Sequence, residues 1–121
     1  SEVVYTDLKG DLLRRDFTIN AMAMDILPDT FGNLTDPFGG IADINKKILR
    51  TPLDPDETFS EDPLRMMRAI RFSSQLNFTI EKTSLEAIAK NSNRIKIISK
   101  ERIVDELHKI LASKVPSKFR G

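Results

Sequence analysis

Residues 61–72 read Glu61-Asp62-Pro63-Leu64-Arg65-Met66-Met67-Arg68-Ala69-Ile70-Arg71-Phe72, and this stretch determines how the rest of the chain is interpreted. Projected on a helix at about 100° per residue, the three arginines share an arc of roughly 120°, and the apolar side chains lie opposite them. Asp62 is a favourable N-cap, and Pro63 suits the first helical position, where a missing N–H costs nothing. The stretch therefore predicts an amphipathic helix with an arginine stripe (Arg65, Arg68, Arg71) and an apolar arc (Met66, Met67, Ala69, Ile70, Leu76).

The arginine stripe has two interpretations. It can be a solvated basic face with ion pairs such as Glu61 to Arg65, each of which stabilises the helix by only a few tenths of a kcal/mol. Alternatively, Asp62 accepts and Arg65 donates a hydrogen bond at a base edge, while the remaining arginines lie near phosphates. The helix taken alone does not distinguish the two interpretations.

Composition excludes several classes of site. Lys plus Arg number 19 and Asp plus Glu number 18, so any nucleic-acid-binding surface must be local. Cysteine is absent, which excludes disulfides, thiolate metal sites and cysteine nucleophiles. The single histidine, His108, disfavours histidine zinc sites and histidine triads, and we expect it at the surface. No apolar run approaches a membrane span and no signal peptide is evident, so we expect a cytoplasmic protein without a membrane partner.

The first half of the chain predicts short strands and turns. We expect the end of a strand at 3–5, a polar loop over 6–11, and a turn followed by a strand over 17–24, where apolar residues alternate with others. Arg14, Arg15 and Asp16 are too densely charged to be buried without partners, so we place them at the mouth of the sheet. Turns are predicted at 28–32 and 34–40, a short helix over 41–47 and a strand over 48–50. Gly39-Gly40 fits a tight turn better than a phosphate loop, because the other elements of that motif are missing.

The second half predicts a linker and helices. Residues 51–60 contain two prolines, and Asp54, Asp56 and Glu57 are interpreted as solvated linker charges in preference to metal ligands. Helices are expected over 81–91, with Leu85, Ile88 and Ala89 on one side, and over 99–112 after an N-cap at Ser99. The second of these helices has an apolar face composed of Ile103, Leu107, Ile110 and Leu111. The expected organisation is therefore two bodies, residues 1–52 and 61–121, joined by a linker over 53–60.

Four spaced motifs together resemble a known family. They are Arg14-Arg15-Asp16-Phe17-Thr18-Ile19-Asn20-Ala21; Asp36-Pro37-Phe38-Gly39-Gly40; Glu61-Asp62-Pro63-Leu64-Arg65 with Arg68 and Arg71; and Glu101-Arg102-Ile103 with Glu106-Leu107. In this order they resemble the bacterial class II tRNA nucleotidyltransferase and poly(A) polymerase family, the CCA-adding enzymes of the polymerase-β-like superfamily. The match extends from about residue 11 to residue 111. The resemblance implies an α+β fold: the end of a small nucleotidyltransferase head with short strands, followed by an α-helical neck.

The resemblance also implies roles for individual residues. Asp62 and Arg65 correspond to the pair that faces the Watson–Crick edge of CTP or ATP, and Arg15 belongs to the motif that selects ribose and steadies the triphosphate. Residues 36–40 are similar to the family's flexible hinge, and residues 101–111 to the helix that braces the neck. The implied nucleotide-binding residues are Arg15, Asp16, Asn20, Asp62, Arg65, Arg68 and Arg71.

The family's glycine-rich motif and its Asp-x-Asp metal pair lie upstream of the Arg14–Thr18 stretch, and nothing before Asp11 supplies them. We therefore expect no catalytic residue and no metal ligand in this piece, Mg²⁺ in the parent enzyme, and no nucleotide incorporation by this chain alone. The implied partners are CTP or ATP and the 3′ end of tRNA or another RNA. The sequence does not determine the oligomeric state, nor whether the parent enzyme adds CCA, A alone or a poly(A) tail. The alternatives are a noncatalytic nucleotide- or RNA-binding module and a helical interaction scaffold.

Overall fold

A computed structural model describes residues 15–24 and 32–114, and these residues are mostly helical. Two short antiparallel strands, β1 (Ala23–Met24) and β2 (Leu34–Thr35), form one sheet, and two parallel strands, β3 (Ile48–Leu49) and β4 (Thr79–Ile80), form another. Two 3₁₀ turns cover Thr18–Asn20 and Ser92–Ile97. The helices are α1 (Gly40–Lys46), α2 (Pro55–Glu61), α3 (Leu64–Leu76), α4 (Lys82–Asn91) and α5 (Lys100–Lys114). The predictions for residues 3–11, Arg14 and the turn at 28–32 lie wholly or mainly outside the described residues.

The strand predicted over 17–24 is wrong for most of its length. Thr18–Asn20 form a 3₁₀ turn, and only Ala23–Met24 pair with another strand. The side-chain oxygen of Asn20 accepts a hydrogen bond from the Phe17 N–H (3.3 Å), so a local side chain competes with strand pairing. The alternation of apolar residues therefore predicted a strand where a turn forms.

The turn predicted over 34–40 is wrong at its first two residues, because Leu34 and Thr35 form strand β2, and it is confirmed at 36–39. The short helix and the strand predicted after the turn are also confirmed. Helix α1 and strand β3 begin within one residue of their predicted starts. The Asp36 carboxylate accepts hydrogen bonds from the Gly40 and Ile41 N–H groups (2.6 and 3.0 Å), and Gly39 has a positive φ of 76°. A Cβ at Gly40 would lie 2.3 Å from the Thr18 carbonyl oxygen. Glycine at this position therefore lets α1 approach the Thr18–Asn20 turn closely.

The loop expected over 51–60 is wrong, because α2 covers most of it. The Asp54 carboxylate accepts a hydrogen bond from the Asp56 N–H (3.1 Å), and Pro55 occupies the first turn, so both residues initiate a helix. Phe59 is fully buried, and Asp56 contacts Lys90 (3.2 Å) on α4. Asp56 is therefore a paired charge. The division into residues 1–52, 53–60 and 61–121 stays a prediction.

The start of α3 confirms the predicted cap. The Asp62 Oδ1 atom accepts a hydrogen bond from the Leu64 N–H (3.2 Å), and Pro63 has helical backbone angles just before the assigned helix. Met66 and Ala69 of the predicted apolar arc are buried. Ile70 and Leu76 are wrong members of that arc, because both are 44% exposed. Half-buried Arg68 and Phe72 take part in the packing instead.

The two later helices lie where they were predicted, but their buried faces differ from the prediction. Ser99 caps α5 through its hydroxyl, which accepts a hydrogen bond from the Arg102 N–H (3.4 Å), and His108 is exposed as expected. On α4 the buried residues are Ser84, Ala87 and Asn91, while Leu85 is exposed. On α5 the buried residue is Glu106, while Leu107 and Leu111 are exposed. The buried faces of both helices thus include polar side chains, which apolar periodicity does not predict.

The hydrophobic core includes residues from both sides of the predicted linker. Phe17, Leu49 and Ala69 form one buried cluster, and Phe59, Met66 and Ala87 form another; half-buried Ile88 packs against both. The rings of Phe17 and Phe72 meet edge to face with centroids 5.8 Å apart. This packing places the charged residues that precede Phe17 beside the first turns of α3.

The N-cap of α4 provides a pH-dependent test of the fold. The Glu81 carboxylate accepts hydrogen bonds from the Thr83 and Ser84 N–H groups (both 3.0 Å) and from both hydroxyls. Partial burial raises the pKa of Glu81, but these hydrogen bonds outweigh it and lower the pKa from 4.5 to about 2. We expect Glu81→Gln to reduce the free energy of unfolding at pH 7 by about 1 kcal/mol.

The sign of the pH dependence follows from the lowered pKa. A carboxylate that is more acidic in the folded state contributes stability above its unfolded pKa and loses it as the pH falls toward the folded value. The difference between wild type and Glu81→Gln should therefore shrink between pH 4.5 and about 2. Thermal unfolding at a series of pH values measures this stability difference. Glu86→Gln, on the exposed side of α4, is the control. A difference that stays constant down to pH 2 would contradict the assignment.

Candidate functional site

A pocket of about 250 Å³ opens between the residues that precede the Thr18–Asn20 turn, the start of α3 and the start of α5. We call it the Arg–Asp pocket, because four arginines and two aspartates line it together with one leucine. It gathers most of the predicted nucleotide-binding residues and omits Asn20 and Arg71. The lining residues are Arg15, Asp16, Asp62, Leu64, Arg65, Arg68 and Arg102.

An ion pair between Asp16 and Arg68 connects the two sides of the pocket. Arg68 Nε lies 2.5 Å from Asp16 Oδ2, although the two residues are 52 positions apart in the chain. Asp16 is 5% exposed, and its other oxygen accepts a hydrogen bond from Asn20 Nδ2 (2.7 Å). The expected position of Asp16 at the mouth of a sheet is therefore wrong, because partners compensate for the burial of its charge. Asn20 does not line the pocket, but it holds Asp16 in place.

Asp62 and Arg65 lie at the junction of α2 and α3. While Asp62 Oδ1 caps α3, Asp62 Oδ2 accepts a hydrogen bond from Arg102 Nη2 (3.1 Å). Arg65 Nη1 donates to the Thr58 carbonyl oxygen (3.0 Å) and lies 3.5 Å from Glu61 Oε2. A carboxylate has about four acceptor positions, so these contacts leave Asp62 able to accept a further hydrogen bond, while the guanidinium of Arg65 carries five donors.

Arg71 belongs to the predicted stripe but lies away from the pocket. Its Nε atom is 3.2 Å from Glu106 Oε2 on α5, and its guanidinium carbon is 4.7 Å from the centroid of the Phe72 ring. The side chains of Arg71 and Glu106 are 12% and 3% exposed. Since the side chain of Arg65 is also only 15% exposed, the stripe is not a solvated basic face.

Arg102 is the charged pocket residue for which no binding role was predicted from the sequence. Its motif indicated only a helix that braces the neck, while the structure directs its guanidinium to Asp62. The spacing of Arg102 and Glu106, i and i+4 on α5, is the feature that could have revealed it. Two such residues share a helix face, and that face contacts Asp62, just before α3, through Arg102 and Arg71, on α3, through Glu106.

Within residues 15–24 and 32–114, no group of three or more His, Cys, Asp or Glu side chains is arranged to hold a metal ion. No helix formed by these residues is both long enough and apolar enough to cross a membrane.

Comparison with known protein families identifies two matching segments. The profile described as "Poly A polymerase head domain" matches residues 1–50, and the profile described as "Probable RNA and SrmB-binding site of polymerase A" matches residues 77–120. The chain is 48% identical over 113 residues to the CCA-adding enzyme of Oceanobacillus iheyensis, which covers 93% of the chain and 27% of that enzyme. The chain thus spans about a quarter of the length of the curated relatives it matches.

Solved structures show the same fold. The Bacillus stearothermophilus CCA-adding enzyme in complex with CTP matches with a TM-score of 0.81 and 45% identity, over 87% of this chain and 26% of that one. The Thermotoga maritima CCA-adding enzyme complexed with tRNA matches with a TM-score of 0.84 and 40% identity, over 90% of this chain and 27% of that one. These likenesses confirm the predicted α+β fold class, the end of a head followed by a helical neck.

Proposed function

Because this chain belongs to the tRNA nucleotidyltransferase and poly(A) polymerase family, we propose that it is the part of an RNA 3′-end nucleotidyltransferase that holds the incoming CTP or ATP. The observation that carries the proposal is the Arg–Asp pocket. It brings Arg15 and Asp16 from one motif beside Asp62, Arg65 and Arg68 from another. Separate motifs that are far apart in sequence thus converge on one pocket lined by four arginines and two aspartates.

The pairing of Asp62 with Arg65 suits cytosine and adenine. Both bases present an exocyclic amino donor beside an unprotonated ring nitrogen, whereas uracil and guanine present a carbonyl beside a ring N–H. A carboxylate only accepts hydrogen bonds and a guanidinium only donates them. Asp62 would therefore accept from the amino group and Arg65 would donate to the ring nitrogen. The same two side chains mismatch uracil and guanine at both positions.

The remaining arginines suit a triphosphate. Arg15 is exposed at the pocket, and Arg68 is fixed by Asp16 and by the face of Phe72, 5.1 Å from its guanidinium carbon. Guanidinium groups bind phosphate oxygens through charge-assisted hydrogen bonds that do not depend on the base. We propose that Arg15 and Arg68 bind phosphate. Asp16 would accept a hydrogen bond from a ribose hydroxyl, and Asn20 would act indirectly by holding Asp16 in place. Arg71 acts through helix packing and not by contact with the nucleotide.

Transfer itself requires groups that this chain does not provide. Phosphoryl transfer of this type depends on metal-held oxygens and in-line geometry, and Mg²⁺ carboxylates of the family precede the first motif found here. We propose that the 3′ end of tRNA or another RNA is the acceptor and that the longer enzyme supplies the Mg²⁺ site. This chain alone would then bind nucleotide without polymerising it.

Label transfer from radioactive CTP or ATP to tRNA tests this proposal. We expect incorporation by the longer enzyme that contains this sequence, competition by unlabelled CTP and ATP but not by UTP or GTP, and no incorporation by the 121-residue chain. Equal competition by all four nucleotides would refute base reading by the pocket. Metal-dependent incorporation by the chain alone would show that it contains its own catalytic carboxylates.

A further inference from the structure

Two ion pairs of opposite polarity join α3 and α5. At the pocket, Asp62 just before α3 is negative and Arg102 on α5 is positive. One turn further along α5, Glu106 is negative and Arg71 on α3 is positive. The two pairs differ in burial, because the Arg71 and Glu106 side chains are almost enclosed, whereas those of Arg102 and Asp62 are 51% and 30% exposed.

The exposed pair adds little to the stability of the fold. Exposed ion pairs gain modest Coulomb energy in water and lose side-chain entropy when they form. Within the described residues, the contact with Asp62 is the one polar contact found for the Arg102 side chain. A long, exposed side chain with a single contact at the rim of a pocket points to a role in the pocket itself.

The contacts of Asp62 show what that role is. One carboxylate oxygen is fixed by the backbone N–H of Leu64 (3.2 Å), and the other is fixed by Arg102 Nη2 (3.1 Å). With one donor on each oxygen, the plane of the carboxylate is held at both ends. With the cap alone, the carboxylate could still turn about the Cβ–Cγ bond while Oδ1 stays within reach of the Leu64 N–H. Arg102 therefore determines where the second acceptor oxygen lies.

We propose that Arg102 is a positioning residue for base selection, which acts through Asp62. It keeps the Asp62 carboxylate oriented so that its remaining lone pairs meet the amino group of cytosine or adenine. This inference rests on the proposed function, because it assumes that the Arg–Asp pocket receives the base. It adds α5 to the elements that determine which nucleotide is accepted.

The test measures kcat/KM for CTP, ATP, UTP and GTP in the longer enzyme with Arg102→Ala. We expect discrimination against UTP and GTP to fall on the order of tenfold, since a charge-assisted hydrogen bond that orients the acceptor is lost. The melting temperature should stay close to that of wild type. Arg102→Lys can still donate to Asp62 and should restore part of the discrimination. Arg94→Ala is the matched control, because Arg94 is exposed, donates to the Ser60 carbonyl oxygen and does not line the pocket.

A double-mutant cycle with Asp62→Asn separates indirect from direct action. If Arg102 acts through Asp62, Arg102→Ala should have no further effect on discrimination in the Asp62→Asn enzyme. An equal effect in both backgrounds would mean that Arg102 contacts the nucleotide directly, and it would overturn the positioning role. Normal discrimination in Arg102→Ala would also overturn it. A wild-type enzyme that does not discriminate would instead refute the proposed function itself.

Discussion

Asp62→Asn is expected to change which nucleotides the pocket accepts while leaving the fold nearly intact. Asparagine is as good an N-cap as aspartate, so the hydrogen bond to the Leu64 N–H can persist. The substitution places an NH₂ donor where the carboxylate only accepted hydrogen bonds. A donor at this position cannot hydrogen-bond to the amino group of cytosine or adenine, which is also a donor. It can donate to the carbonyl oxygen of uracil or guanine.

The expected size of this effect is large. Sites that hydrogen-bond a substrate discriminate strongly, because a mismatched ligand leaves buried polar groups unpaired. We expect discrimination against UTP and GTP to fall by about two orders of magnitude, or to invert, in steady-state incorporation by the longer enzyme. Unchanged selectivity together with a lower melting temperature would mean that Asp62 is only a helix cap.

Two control substitutions separate base reading from other effects. Glu57→Gln makes the same acid-to-amide change on the preceding helix α2, on an exposed side chain that does not line the pocket, and should leave selectivity unchanged. Arg15→Ala removes a proposed phosphate contact, which does not depend on the base. It should therefore weaken the binding of all four nucleotides about equally, by about 1.5–3 kcal/mol.

Glu106→Ala is expected to lower the free energy of unfolding by about 3–5 kcal/mol, because it leaves the Arg71 guanidinium buried without its partner. Among the described residues, Arg71 Nε and Glu106 Oε2 have no aligned hydrogen bond, although they lie 3.2 Å apart. Their attraction is therefore mainly coulombic, and removing one charge leaves the desolvation cost of the other. Urea denaturation of the chain followed by circular dichroism measures the change.

The matched control is Asp105→Ala on the same helix. Asp105 also has a basic partner, Lys109 at 3.1 Å, but its side chain is 68% exposed, so we expect a change within about 0.5 kcal/mol. The double substitution Arg71→Met with Glu106→Leu should recover most of the lost stability, since apolar residues can replace a buried ion pair. If Glu106→Ala and Asp105→Ala had equal effects, the buried pair would not hold α3 against α5.

The fold was predictable from the sequence where the determining interactions are local. Asp62 with Pro63, Ser99 before α5 and Gly39-Gly40 before α1 act within a few residues, so the starts of these helices could be predicted. The prediction was wrong where the period or the composition of a segment conceals a local hydrogen bond. Asp54 and Pro55 begin a helix in the predicted linker, whose Phe59 is buried in the core, and the side chain of Asn20 closes a turn in the predicted strand by accepting from the Phe17 N–H.

The sequence by itself determined the family motifs, the residue types available for a nucleotide site and most of the helices. The local pair of Glu61 with Arg65 was predictable, but only the tertiary structure decided which charges from separate elements meet. Helical periodicity assigned Arg65, Arg68 and Arg71 to one arc, but packing directs them toward Thr58, Asp16 and Glu106 respectively. Asp62 and Arg102 are 40 positions apart, and no spacing rule relates them. The physical reason is that a helix period fixes the directions of side chains around one axis, whereas an ion pair depends on how two separate elements pack.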